Sequence, residues 1–122
     1  MGKRIMVVDD SRITAIQLEK LLEDTDYEVA AFCRSGEEAL EQYGQVRPDL
    51  VTMDIIMPGM DGLETAQAIL EEYPDAKIIM VSSLAYEDTF DEAKAIGAKA
   101  FIDKPFDQEK LLAALDQALS GQ

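Results

Sequence analysis

Ile5-Met6-Val7-Val8-Asp9-Asp10 and Leu50-Val51-Thr52-Met53-Asp54 are two short hydrophobic runs that each end in carboxylates. Runs of this length, rich in Val, Ile, Leu and Met and nearly free of polar alternation, read as strands covered on both faces, the pattern of a parallel sheet. A core strand that ends in a bare carboxylate is costly unless the charge keeps water or finds a partner. Side by side, the two runs would crowd three carboxylates into one pocket. At ~4 Å and an effective dielectric of about 20, each like-charge pair would cost about 4 kcal/mol. A hard divalent cation would remove that repulsion, so these strand ends are the first candidate site.

Outward from these runs the same alternation continues. Strands are expected over 4–8, 28–32, 50–53, 77–81 and 100–102, separated by segments of helical period. Ile13, Ile16, Leu21 and Leu22 mark a first amphipathic helix, and Ala39, Leu40 and Tyr43 a second. Leu63, Ala66, Ile69 and Leu70 mark a third, and Phe90, Ala93, Ala95 and Ile96 a less regular fourth. Leu111, Leu112, Leu115, Ala118 and Leu119 give the cleanest stripe, the fifth. Ser11, Ser35 and Asp107 stand where N-caps belong, while Gly44, Gly97 and Gly121 stand as stop signals. Five βα units with short connections predict an α/β doubly wound open sheet, since five strands are too few for a TIM barrel.

Composition narrows the function. The 122 residues suffice for one domain, expected to span 1–122, and 48% hydrophobic content with 4 prolines is that of a folded chain. With 25 acidic against 11 basic residues the net charge is −14, and no Lys/Arg cluster offers a footprint for nucleic acid or anionic membrane. No stretch approaches a membrane span, and Met1-Gly2-Lys3-Arg4 leads into the first strand without a secretion signal, so a cytoplasmic location is expected. Cys33 is the single cysteine, which excludes an intrachain disulfide and reads as a small core residue. Histidine is absent, which removes Ser-His-Asp and Cys-His catalysis, His-ligated zinc and any phosphohistidine carrier role.

Ligands of open parallel sheets bind beyond the carboxyl ends of the strands, so the residues just past each strand are informative. Asp9 and Asp10 come after the first, Asp54 after the third, Ser82 and Ser83 after the fourth, and Lys104-Pro105 after the fifth. Each alone has an ordinary reading: an Asp-Asp pair is commonly a turn and a helix cap, and Ser82-Ser83 could cap the next helix. Together they supply carboxylates for Mg²⁺, a carboxylate nucleophile toward phosphorus, an ammonium and a hydroxyl. Phosphoryl transfer needs little more than that kit, because it rests on positioning and charge stabilisation.

These residues resemble the receiver domain of two-component response regulators, of the stand-alone chemotaxis (CheY-like) type, from Ile5 to about Leu119. The matching motifs are Val7-Val8-Asp9-Asp10-Ser11-Arg12, Asp54-Ile55-Ile56-Met57-Pro58-Gly59-Met60-Asp61-Gly62, Val81-Ser82-Ser83 and Phe101-Ile102-Asp103-Lys104-Pro105-Phe106. The resemblance implies a flavodoxin-like (βα)5 sheet in the order 2-1-3-4-5. It implies that Asp54 is the phosphoacceptor, that Asp10 holds Mg²⁺ directly and Asp9 through water, and that the Ile56 carbonyl supplies a further ligand. It also implies that Lys104, beside a cis bond to Pro105, pairs with the phosphoryl group, which Ser82 hydrogen-bonds with Ser83 beside it. Ser82 and Phe101 would form the switch pair, and the face from Tyr86 to Leu119 would respond. The implied donor is a histidine kinase or phosphotransfer protein, with an unnamed downstream protein partner and a monomer that dimerises, if at all, on phosphorylation.

Three features depart from the commonest pattern. Ser82 stands where many members have threonine, and Phe101 where chemotaxis regulators often have tyrosine. Ile56 and Leu84 are apolar where polar groups can orient a hydrolytic water, which predicts a long-lived aspartyl phosphate. Other functions fit less well. A haloacid-dehalogenase-like phosphatase needs a second aspartate where Ile56 stands, and a flavodoxin-like electron carrier needs a Ser/Thr/Gly phosphate loop where Asp9-Asp10-Ser11-Arg12 stands. A receiver cut from a larger regulator with a DNA-binding or enzymatic output is the nearer alternative.

Overall fold

The computed structural model describes residues 2–83 and 87–120. Five strands, β1 (Lys3–Val8), β2 (Tyr27–Cys33), β3 (Leu50–Asp54), β4 (Ile78–Ser82) and β5 (Ala100–Asp103), alternate with five helices. These are α1 (Arg12–Leu21), α2 (Gly36–Val46), α3 (Gly62–Glu72), α4 (Glu87–Ile96) and α5 (Gln108–Ser120). All strand pairs are parallel, in the order β2-β1-β3-β4-β5. The expected flavodoxin-like architecture is therefore present, with β1 and β3 adjacent and their ends side by side.

The period-two alternation of β1 and β3 builds two cores. Met6, Val8, Val51, Met53, Ile78 and Met80 pack with Ala39 and Tyr43 of α2, Ala66 and Ile69 of α3 and Ala93 of α4. Ile5, Val7, Leu50, Ile79, Val81 and Ile102 pack with Ala15 and Leu18 of α1 and Leu111, Leu115 and Ala118 of α5. Each fully buried aliphatic contributes about 1.5–3 kcal/mol. Burial on both sides explains why β3 and β4 show no polar alternation. Cys33 is buried in the first core, and desolvation pushes its thiol up to about 12, so it is an inert core residue as expected.

Several helix details differ from the sequence reading. Ile13 and Ile16 are not on the core face of α1: they are 70% and 50% exposed, while Thr14, Ala15, Leu18 and Leu22 are buried. The helix carries two stripes, and the one with small residues faces the sheet because it allows close approach. Gly44 does not end α2; it lies within it, and Arg47 in the left-handed conformation closes the helix. A Cβ at Gly44 would stand 2.7 Å from the Tyr73 hydroxyl, so this glycine serves a contact, not a stop. Ser11 makes no side-chain cap; the amide of Ser11 instead donates to Asp9 Oδ1 at 2.8 Å. Ala95 is exposed and Phe90 is 44% exposed, its ring edge-on to Phe101 at 5.7 Å with Lys94 Nζ 5.6 Å from its centre.

Ser35 and Asp107 do cap, accepting from the amides of Glu38 and Lys110, and Gly97 ends α4 with φ at +105°. Leu84, Tyr86 and Gly121, to which the sequence reading gave roles, lie outside the described residues. No helix among the described residues is long and apolar enough to cross a membrane.

Candidate functional site

The central position of β1 and β3 delivers their carboxylates to one place. Asp9, Asp10 and Asp54 each offer an oxygen within 4.8 Å of the others. Asp9 is 1% exposed, Asp54 is 8% exposed, and Asp10 reaches solvent. Asp9 is fixed from both directions, its amide donating to the Cys33 carbonyl at 3.0 Å and its Oδ1 accepting from Ser11.

β5 brings the counter-charge. Lys104 Nζ lies 3.1 Å from Asp9 Oδ2 and 3.6 Å from Asp54 Oδ1. The Lys104–Pro105 bond is cis, as the sequence reading expected, and the Lys104 amide donates to the Ser82 carbonyl at 2.9 Å. One cation against three carboxylates leaves the pocket negative. Burial raises the Asp54 carboxyl from 3.8 to about 6, reinforced by the charge of Asp9 and opposed by Lys104. Such a pocket, with all-oxygen donors and an excess of negative charge, fits a hard divalent cation.

The remaining candidates are placed unevenly. Ser82 is buried at the end of β4, one residue past the Val81 that pairs with Asp54, while Ser83 is exposed. Phe101 pairs in register with Met80, so Ser82, two residues beyond Met80, shares its face of the sheet. Phe101 is half-buried among residues of the α2–α4 core. Ile56 lies just past β3 with its side chain 55% exposed.

Residues 5–116 match the response regulator receiver domain family. The chain belongs to the response-regulator receiver family. The receiver is 40% identical to the chemotaxis protein CheY of Listeria monocytogenes over 94% of this chain and 97% of that one. Its fold matches the response regulator domain of Thermotoga maritima CheB with a TM-score of 0.90, at 34% identity over 100% of this chain and 99% of that one. It also matches a chain of the CheX-CheY-BeF3-Mg complex from Borrelia burgdorferi with a TM-score of 0.88, at 35% identity over 93% and 86% of the two chains.

Two features of the receiver's site were missed in the sequence. Asp61 caps α3 in a reciprocal capping box, accepting from the Glu64 amide at 2.8 Å while its own amide donates to Glu64. The Asp-x-x-Glu spacing was the available signal. The second is the exposure of three large apolar side chains in the segments that follow Asp10 and Asp54, Ile13 and Ile16 on α1 and Ile56 just past β3.

Proposed function

We propose that this receiver is a phosphorylation switch in which Asp54 takes a phosphoryl group from the phosphohistidine of a sensor histidine kinase or phosphotransfer protein. The observation that carries this is one pocket holding the Asp54 carboxylate, two further carboxylates and Lys104 at the carboxyl ends of β1, β3 and β5. Asp54, raised to about 6, is mostly ionised at neutral pH and so is available as a nucleophile. An oxygen of Asp54 would attack phosphorus as the bond to the donor nitrogen breaks, with its electron pair staying on the imidazole. Lys104 would move from Asp9 and Asp54 toward the new phosphoryl oxygens, with Ser82 and Ser83 at the same rim. Asp9, Asp10, Asp54 and the Ile56 carbonyl would hold Mg²⁺, which supplies the positive charge that lets an anionic donor approach three carboxylates.

The added charge of about −1.5 to −2 would bias a two-state equilibrium read by Ser82 and Phe101 and passed to the face of α4, β5 and α5. The receiver is then a phosphoacceptor acting through a downstream protein in the cytoplasm, not an enzyme with a separate substrate and not a nucleic-acid or membrane binder.

Treatment with a small phosphodonor and Mg²⁺ is expected to add one phosphoryl group by intact mass, at Asp54 by peptide mapping, and a chelator should abolish it. No adduct, or an adduct elsewhere, would overturn this function. With apolar Ile56 beside the pocket, the adduct should survive for minutes or longer at neutral pH; loss within seconds would contradict that lifetime. Metal binding should also vary with pH. Protons compete for Asp54, so calorimetric Mg²⁺ affinity should fall by up to ~tenfold per unit below about pH 6 and level off above it.

A further inference from the structure

The end of β3 is held from behind by a stack of close contacts that begins on α2. Gly62, the first residue of α3, is so near β3 that a Cβ there would stand 2.0 Å from the Asp54 carbonyl oxygen and 2.7 Å from the Ile55 Cα. Its amide donates to the Ile55 carbonyl at 2.8 Å. Backbone atoms have no rotamer to escape into, so the start of α3 and the Asp54 backbone move together.

The start of α3 is located in turn by α2. A Cβ on Gly36, the first residue of α2, would stand 2.0 Å from Thr65 Oγ1, and every other atom would be 3.2 Å away or farther. Thr65 is completely buried, and its hydroxyl donates at 2.7 Å to the carbonyl of Asp61, the N-cap of α3. Rotating Thr65 away would break that bond inside the core. The backbone at Gly36 is one that other residues adopt, so glycine is required there by the contact alone.

We infer that Gly36 and Thr65 are positioning residues for Asp54, setting its carboxylate through Asp61 and Gly62 without belonging to the acidic pocket. A side chain at position 36 pushes Thr65, shifts the α3 start and displaces Asp54 from Asp9, Asp10 and Lys104. This rests on Asp54 as the phosphoacceptor, and displacements of about 1 Å can cost ~100-fold in such sites.

The test compares the parent with Gly36→Ala, Thr65→Ala and the double variant, at a temperature where circular dichroism shows each folded. Two readouts are taken: Mg²⁺ affinity by calorimetry, and adduct formation with a small phosphodonor resolved into donor KM and maximal rate. Gly36→Ala should lower the maximal rate roughly tenfold or more and weaken Mg²⁺ binding, with donor KM little changed. Thr65→Ala alone should be milder. The double variant should recover most of the way to the level of Thr65→Ala, because removing Oγ1 takes away the 2.0 Å clash and leaves only 3.2 Å contacts with Met60, which a shift of a few tenths of an ångström relieves.

A folded Gly36→Ala with parental rate and affinity would overturn the inference, since a purely structural role lowers stability without moving either. A double variant that stays slow, or does not fold, would overturn the route through Thr65. If Gly36→Ala alone fails to fold, the folded Thr65→Ala decides: parental rate and parental Mg²⁺ affinity in that variant would overturn the inference. If the parent takes no phosphoryl group, the reading of Asp54 falls separately, and the Mg²⁺ affinities of the four proteins still decide the positioning.

Discussion

Asp54→Asn is expected to abolish the phosphoryl adduct and, without metal at neutral pH, to make the protein more stable than its parent. The two effects have one origin. The carboxylate proposed to attack phosphorus is also one that the fold disfavours in its charged form, since burial and the charge of Asp9 raise it from 3.8 to about 6. A carboxyl raised by ~2 units on folding is worth about 3 kcal/mol between its protonated and ionised forms. Linkage sets the sign. The stabilising contribution of the protonated form is fully present below the unfolded value near 4 and is lost as pH rises through about 6. Near neutrality the parent therefore carries the full penalty and the neutral amide does not.

That figure already includes the favourable ion pair with Lys104 at 3.6 Å, so a gain of about 3 kcal/mol is expected. Urea melts should show this difference near pH 7.5 and its near-disappearance by about pH 4. Saturating Mg²⁺ should shrink it too, because the metal stabilises only the chain that keeps all three carboxylates. Equal stability of the two proteins at neutral pH would mean that the pocket holds Asp54 charged without strain. An adduct on Asp54→Asn would remove the nucleophile from this residue altogether.

The sheet was legible in the sequence because its central strands are buried on both faces. Leu50–Asp54 and Ile78–Ser82 are entirely buried, so they read as continuous apolar runs, and their terminal Asp54 and Ser82 stand out. The edges of this logic are visible in α1, where two stripes competed. Bulky Ile13 and Ile16 outweigh Thr14 and Ala15 on any hydropathy scale, but small residues let a helix approach a sheet. Hydropathy reports what burial would gain, not which face can come close enough.

The site was legible as a set of residue types and less so as an arrangement. That Asp9 is buried and Asp10 reaches solvent depends on where β1 ends and how the amide of Ser11 turns back onto Asp9. Contacts between distant segments left no local pattern. Gly36 against Thr65, or the Tyr27 hydroxyl on Asp116 at 2.5 Å across 89 residues, arise only once the topology is fixed. The capping box at Asp61 was local and readable, but its place in a Pro-Gly-rich stretch made loop the simpler reading.

Lys104→Met should expose the electrostatic problem that the cation conceals. The substitution keeps most of the aliphatic stem and removes the ammonium, leaving Asp9, 1% exposed, and Asp54, 8% exposed, facing each other without a counter-charge. Breaking a buried pair by removing one partner typically costs about 3–5 kcal/mol. Here Lys104 is a quarter exposed and Asp54 can escape by taking a proton, so a loss of about 2 kcal/mol is expected near neutrality. Because Lys104 lowers the carboxyl of Asp54, its removal must raise that carboxyl further above 6. The deficit should therefore shrink as pH falls toward about 5, where Asp54 protonates and one like charge disappears. Saturating Mg²⁺ should shrink it as well, by supplying positive charge at the same carboxylates. The proposed nucleophile and metal ligands are untouched, so the adduct should still form, only more slowly, which separates Lys104 from Asp54 in role. A loss of stability independent of both pH and Mg²⁺ would show that Lys104 acts by packing and not by charge, and the account of Lys104 as a partial counter-charge to the carboxylates would fail.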